Sequence, residues 1–511
     1  MLLIDDKNPI AIGDFIKVAR GGAQAGLTES AKRAVLASRG FVEKVLESSQ
    51  VVYGISTGFG EFAKVTISEG DRERLQRNLI LSHSVGVGDF FPPDAARGIM
   101  LLRVSSLARG YSGIRLSTVE KLLELLNRGV VPAVPAKGSV GASGDLAPLS
   151  HVAAVLLGEG HALENGKPVP AAGALARAGI KPIELAAKEG LALINGTQAM
   201  TSVAALVCHD GRQLAKLADI AAAMSLEALR GTLAAFDLRI AGIRPHPGQM
   251  ETARNILRLT EGSEILASHR DCEKVQDAYS LRCASQVHGA TRDALRRTEE
   301  TVEIEMNSVT DNPIVMAGTG EIISGGNFHG QPVALAADYL KTALAEIANI
   351  SERRLNRLVD PHLSGLPAFL TREGGVNSGF MIAQYTAASL VSENKVLAHP
   401  ASADSIPTSA NQEDHVSMGT IAARHAREVL ENARHVLAIE MLAAAQGLDF
   451  VMEKGMAPGR GTRAAHRRIR EAVPHLGEDR ILSGDFGKAL AMIADESLAA
   501  AVEEALGGEL E

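Results

Sequence analysis

Gly138-Ser139-Val140-Gly141-Ala142-Ser143-Gly144-Asp145-Leu146-Ala147-Pro148-Leu149-Ser150-His151 is a glycine-rich loop that runs into a helix. Asp145 reads as the N-cap, Pro148 falls in the first turn, where a missing N–H is tolerated, and the apolar run 151–157 continues the helix. Ala142-Ser143-Gly144 then lies just ahead of a helix N-terminus, whose unpaired N–H groups favour developing negative charge. Two familiar loop chemistries do not fit. A phosphate-binding loop needs Lys after its last Gly, and none follows Gly144. A hydrolase elbow has one residue between its Ser and the next Gly, whereas Gly144 follows Ser143 directly. A plain structural turn stays open on the glycines alone.

The chain has 511 residues, 46% hydrophobic but only 3% aromatic, and no Trp. A core of Ala, Leu, Ile and Val without large rings suits closely packed helices better than a sandwich. The formal charge of −8 offers no basic footprint for nucleic acid. Cys208, Cys272 and Cys283 have no C-x-x-C spacing, which argues against a disulfide framework or a zinc knuckle. The N-terminal MLLIDDKNPI is acidic where a signal peptide is basic, and no apolar run approaches the ~20 residues of a membrane span. The expectation is a cytoplasmic chain with no membrane partner.

Outward from the loop, residues 29–48 predict a helix with Val35, Val42 and Val45 on its apolar side. Val51 to Gly60 is a short apolar run broken by three glycines, which allows close backbone approach to a ligand. Residues 71–84 predict a helix with Leu75, Leu79 and Ser82 on one stripe and His83 near its C-terminal end. Phe91-Pro92-Pro93 breaks the chain, and 109–113 is a turn. Beyond Gly190 the periods lengthen. Leu214, Leu217, Ala221 and Met224 recur at helical spacing, as do Val333, Ala337, Leu340, Leu344 and Ile347 in a helix that Pro361 must end. Residues 378–399 and 414–446 predict further long helices. Several such helices joined by short loops indicate a bundle, and faces apolar all round are buried, with other subunits the expected cover. The organisation expected is an N-terminal region 1–190, a central long-helix bundle 191–450 and small C-terminal helices 451–511.

The string Ala142-Ser143-Gly144-Asp145-Leu146-Ala147-Pro148-Leu149 resembles the signature of the aromatic amino-acid ammonia-lyase family. The resemblance covers nearly the whole chain. It includes Ser56-Thr57-Gly58-Phe59-Gly60, Asn195-Gly196-Thr197-Gln198, the run Gln276 to Cys283 (QDAYSLRC) and the run Ser308 to Pro313 (SVTDNP). It continues through Gly325-Gly326-Asn327-Phe328-His329 and the run Ser409 to His415 (SANQEDH). It implies an all-α fold: an N-terminal MIO-bearing mixed region on a long central helical bundle, of aspartase/fumarase-like architecture. In that family Ala-Ser-Gly cyclises with loss of water to a methylidene-imidazolone (MIO), an electrophile that no side chain supplies. Gly144 lacks the Cβ that would hinder ring closure, and Ser143 provides the exocyclic carbon. The resemblance also implies a homotetramer whose active sites draw on several subunits, and no external cofactor.

The reaction implied is loss of ammonia from an α-amino acid, leaving a trans double bond. Whether the substrate's amine or its ring attacks the MIO is left open. Tyr53 is the candidate base, since a positive potential nearby could lower its pKa from about 10; Tyr279 is the rival, or orients the substrate. Arg282, three residues on, can hold the substrate carboxylate with a bidentate fork. Asn195 and Gln276 suit hydrogen bonds to the MIO carbonyl and the carboxylate, and Phe328 is placed beside the MIO by the resemblance. His83 and Glu413 fall where relatives selective for tyrosine or phenylalanine usually carry other residues. A His and a carboxylate can donate to one imidazole nitrogen and accept from the other. A phenyl ring would leave each unpaired, at about 1–3 kcal/mol apiece. The expected substrate is therefore L-histidine and the product trans-urocanate.

Other readings stay in view: a tyrosine- or phenylalanine-specific lyase, an MIO aminomutase, a catalytically dead helical scaffold, and a metal lyase. The scaffold has no need of Tyr53 or of the intact tripeptide. The 15 histidines are dispersed without an H-E-x-x-H cluster, so no metal is expected in the chemistry.

Overall fold

The long apolar periods become long helices. In the computed structural model, which describes residues 1–48, 71–270 and 275–511, they are Gln198–Ala228, Ala284–Met306, Gln331–Val359, Met381–Leu397 and Gly419–Met452. Leu214, Leu217, Ala221 and Met224 are buried on the first of these, and Val333, Ala337, Leu340, Leu344 and Ile347 on the third. Pro361 does stop Gln331–Val359, because its ring and absent N–H cannot continue the ladder. Glu29–Glu47 buries Val35, Val42 and Val45 as its spacing predicts, and its Thr28 cap accepts from Ala31 N at 3.2 Å. The all-α reading is borne out.

Packing divides the chain into two units, neither continuous in sequence. The first comprises Met1–His209, Thr298–Asp338 and Pro400–His425; the second comprises Asp210–Arg297, Tyr339–His399 and Ala426–Glu511. Within the first unit the core runs along Pro93–Ala108, buried on nearly every side and packed against Ile12–Ala19 and Leu116–Asn127. Pro92 and Pro93 start that helix, as the sequence break predicts.

The first unit also carries short strands that helical periodicity does not reveal. Leu2–Ile4 pairs parallel with Ala25–Leu27, and Val87–Phe90 antiparallel with Pro135–Lys137. His161–Glu164 lies between Val131–Pro132 and Lys167–Pro170 in a three-stranded antiparallel sheet. The hairpin His161–Pro170 turns through Asn165-Gly166, with φ of 50° and 74° at the two residues, the left-handed pair that Asn-Gly favours.

Three readings need correction. The buried face of Arg72–His83 is Gln76, Leu79 and Ile80, with Leu75 half-buried and Ser82 exposed, because Gln76 Oε1 turns inward to accept Gly190 N at 2.8 Å. Residues 436–448 of Gly419–Met452 are already buried in the single chain and need no other subunit to cover them; the apolar side chains left exposed include Ile382, Tyr385 and Val396 on Met381–Leu397. That same helix Gly419–Met452 is also long and apolar enough to cross a membrane by length and composition, although 83% of its most apolar window is buried, the pattern of a core helix.

Candidate active site

The tripeptide is held in a turn that only glycine can make at its ends. Gly141 and Gly144 bracket it with φ of 70° and 73°. A Cβ on Gly144 would lie 2.2 Å from the backbone oxygen of Gly196, which excludes a side chain there, and one on Gly141 would lie 2.2 Å from Ser417 Oγ, which would have to shift. Gly144 forms a parallel bridge with Gly196, and Asp145 N donates to Gly196 O at 2.6 Å. Ala142 is buried against Val416 and Met418, while Ser143 is half-buried. The tripeptide precedes the helix Leu146–Leu156, as the sequence indicates.

Asp145 departs from its expected role. It occupies the N-cap position of Leu146–Leu156 but makes no side-chain cap there. Its fully buried carboxylate accepts instead from Ala199 N and Met200 N, both at 2.9 Å, in the first turn of Gln198–Ala228. Ser139 Oγ at 3.1 Å and Thr420 Oγ1 complete its shell. Burial pushes the Asp145 carboxyl above its usual range, and those four donors partly hold it down. Asp145 thus caps a distant helix and fastens the tripeptide to it.

Glu413 lies against the tripeptide. Its Oε1 accepts from Ser143 Oγ at 3.2 Å and its Oε2 from Thr408 Oγ1 at 2.8 Å. Three consecutive left-handed residues, Ser409, Ala410 and Asn411, fold the loop back so that Thr408 and Glu413 pair. His83 ends its helix as predicted, half-buried, with Ser82 Oγ 3.0 Å from Nδ1. Burial lowers the His83 pKa, and the negative charge of Glu413 acts on it in the opposite direction. Gly86, three residues on, donates its N–H to His151 Nε2 at 3.1 Å, which ties the His83 segment to the helix of the tripeptide. His151 closes the opening motif, yet its spacing carries no hint of that tie. Phe328 is half-buried, and its neighbour His329 stacks on His415 with ring centroids 5.8 Å apart.

Asn195 is 2% exposed, one residue before the brace at Gly196. Its Nδ2 donates to Asn312 O at 3.1 Å and Asp311 Oδ1 at 3.3 Å, while its Oδ1 is buried without a hydrogen-bond partner among the described residues. Asp311 in turn pairs with Lys188 Nζ at 3.0 Å, both side chains fully buried. Lys188 and Asp311 belong to no role read from the sequence, because the link to Asn195 spans 116 residues.

The first unit thus gathers Ala142, Ser143 and Gly144 with Glu413, and braces them through Gly196 beside Asn195. Gln276, Tyr279 and Arg282 are grouped in the second unit. Gln276 and Tyr279 are exposed, the latter at 71%. Arg282 stacks its guanidinium over the Tyr279 ring, 4.6 Å from the centroid, as two residues three apart on one helical turn can. Its Nε is buried without a hydrogen-bond partner among the described residues. Asp277, also missed in the sequence, anchors this segment by accepting Thr232 N at 2.7 Å. Tyr53, and the run Ser56 to Gly60, lie outside the described residues. Among the described residues, no three His, Cys, Asp or Glu side chains gather as a metal site requires.

Long buried helices carrying a glycine-locked Ala-Ser-Gly turn with a carboxylate against its Ser define a helical lyase. Residues 10–471 match the family model described as aromatic amino acid lyase, and the chain belongs to that family. It is 55% identical over 501 residues, 98% of each chain, to a histidine ammonia-lyase of Alkaliphilus oremlandii. Among solved structures it is similar to a histidine ammonia-lyase from Trypanosoma cruzi, at 43% identity and a TM-score of 0.90, over 99% of this chain and 97% of the other. It is similar as well to a tyrosine aminomutase from Streptomyces globisporus, at 38% identity and a TM-score of 0.94 over the whole of both chains.

Proposed function

We propose that this chain deaminates L-histidine without oxidation to trans-urocanate and ammonia, the first step of histidine breakdown. The observation that carries the reading is Glu413, whose carboxylate touches Ser143 and whose charge acts on the half-buried His83. Burial favours the neutral His83, which leaves one ring nitrogen able to accept and one to donate. Together with Glu413 it offers an imidazole substrate complementary partners for both ring nitrogens, which a phenyl ring cannot use.

The residues present fit the MIO. The left-handed Gly144 against Gly196 O leaves no room for a Cβ, and Asp145 secures the end of the turn. Ala142, Ser143 and Gly144 would form it, with no external cofactor. Once formed, it supplies an electrophilic methylidene carbon. In the net reaction the Cα–N and Cβ–H bonds break, the C–H electron pair becomes the double bond, and nitrogen leaves with the Cα–N pair. Arg282 has the planar fork that a substrate carboxylate accepts, and Gln276 can add a hydrogen bond to it. Tyr53, Tyr279 or Glu413 takes the β-proton. Phe328 flanks the ring site, and Asn195, whose Nδ2 is taken by Asn312 O and Asp311, offers its Oδ1 as an acceptor rather than a donor to the ring's carbonyl. Exposed Ile382, Tyr385 and Val396 support a homo-oligomer, read here as a homotetramer with shared active sites working in the cytoplasm.

The likeness to an aminomutase favours one second reading, in which the amine returns to the β-carbon. The test incubates the purified chain separately with L-histidine, L-tyrosine and L-phenylalanine, following near-UV absorbance, free ammonia and any β-amino acid. Urocanate and ammonia from histidine alone are expected, with an intact mass lowered by the water lost in cyclisation. Cinnamate or coumarate overturns the specificity argument, a β-amino acid the lyase outcome, and an unaltered mass with no product the MIO.

A further inference from the structure

A buried amide whose orientation is forced is more informative than one that is merely buried. Asn195 Nδ2 faces two acceptors, the Asn312 carbonyl at 3.1 Å and Asp311 Oδ1 at 3.3 Å. Neither a carbonyl nor a carboxylate can donate, so the amide nitrogen, not the oxygen, must face them. Asp311 is held as their partner from the other side. Its Oδ2 accepts from Lys188 Nζ at 3.0 Å and its Oδ1 also takes Asn312 N at 2.7 Å. All of this lies in the interior, with Lys188 and Asp311 at 0% exposure. Lys188 reaches it from a left-handed backbone, φ 74°, a conformation that a non-glycine residue adopts only when its surroundings impose it. On the backbone side, Arg103 Nη1 donates to Asn195 O at 2.9 Å and fixes that end of the residue as well.

What the arrangement leaves over is Asn195 Oδ1, buried and with no hydrogen-bond partner among the described residues. A buried acceptor left unmade is costly unless something fills it. It sits one residue from Gly196, whose carbonyl braces Asp145 and the tripeptide. The group that satisfies it must donate. A substrate carboxylate has no hydrogen to give, whereas the amino group has N–H bonds.

We propose that Lys188 and Asp311 are positioning residues, whose ion pair holds the Asn195 carboxamide with Oδ1 free to accept an N–H of the substrate amino group. The inference rests on the lyase reading above and adds two residues to it. Replacing Asp311 by Asn puts an N–H donor where the carboxylate stood, lets the Asn195 amide turn over, and presents the amine with a second donor.

The test is a double-mutant cycle on the full chain with L-histidine. Asp311→Asn and Asn195→Ala should each lower kcat by about 10–100-fold with a smaller change in KM. Asp311→Asn placed on Asn195→Ala should then remove no more than about a further twofold, because the group it orients is already gone. Thermal unfolding is followed for every variant. If Asp311→Asn does not fold, Lys188→Met with Asp311→Leu removes the pair without stranding a buried charge, and this double variant takes the place of Asp311→Asn in the cycle with Asn195→Ala. Multiplicative losses in the cycle overturn the positioning role while leaving the lyase reading intact. A wild-type chain that releases no ammonia from histidine fails the lyase reading instead, before any variant is made.

Discussion

Each unit buries a cluster of charges, and the two are finished differently. In the second unit Asp219 accepts from His288 Nδ1 at 2.7 Å, Arg292 Nη2 at 2.6 Å and Asn255 Nδ2 at 2.9 Å. Nearby, Glu440 takes both ends of Arg354 together with Ser225 and Ser351. Every carboxylate oxygen in that cluster has a donor. Burial lowers the His288 pKa, so the ring stays neutral, with Nδ1 donating to Asp219 and Nε2 left to accept from Arg354. In the first unit the Lys188–Asp311 pair ends on an amide oxygen with no hydrogen-bond partner among the described residues. A closed polar network specifies packing; an open one next to a reactive turn specifies a ligand.

The largest expected effect tests the open side. Ser143→Ala removes the hydroxyl lost in ring formation, and turnover of histidine should fall by roughly 10³-fold or more with the unfolding temperature unchanged. Retained turnover would break the contrast outright. On the closed side, Arg292→Met strands Asp219, whose carboxyl burial would raise but which Arg292 and His288 hold low. Loss of about 3–5 kcal/mol in denaturant unfolding is expected, with kcat per folded chain within about twofold of wild type. A kinetic defect without a stability defect would reverse the assignment of the two clusters.

Glu413→Gln sharpens the comparison. It should lower kcat/KM for histidine by about 10–100-fold, as expected for losing a charged hydrogen-bond partner. It also removes the charge that raises the His83 pKa against burial, so the His83 titration, read by NMR of the imidazole carbons, must move to lower pH. Movement to higher pH would sink the electrostatic link. The smallest effect is a control belonging to neither cluster. Thr28→Ala removes the cap on Ala31 N and should lower stability by about 1 kcal/mol without touching kinetics.

How much of this was legible in the sequence follows from how far apart the partners lie. The long helices and the turn ahead of Leu146 come from local periodicity and glycine spacing, and the structure reproduces them. The Asn165-Gly166 hairpin had an equally local signal that helical periods overshadowed. The role of Asp145 was misread because an acidic residue before an apolar run looks like a cap for its own helix. Its real partners stand 54 and 55 residues away. Glu413 and Ser143, 270 residues apart, share no pattern that spacing could expose, and family resemblance alone set them in one site. Lys188 carried no signal of either kind.

The clamp on the reactive turn also has a timetable. Asp145 completes its shell with Thr420, 275 residues further along the chain. At about 5–20 residues per second, a ribosome needs roughly 15–55 s to deliver that hydroxyl after the turn itself has been made. Until then the Asp145 carboxylate has at most three of its four donors, Ser139 Oγ, Ala199 N and Met200 N. A product truncated before Thr420 holds the right tripeptide with the shell around Asp145 one donor short.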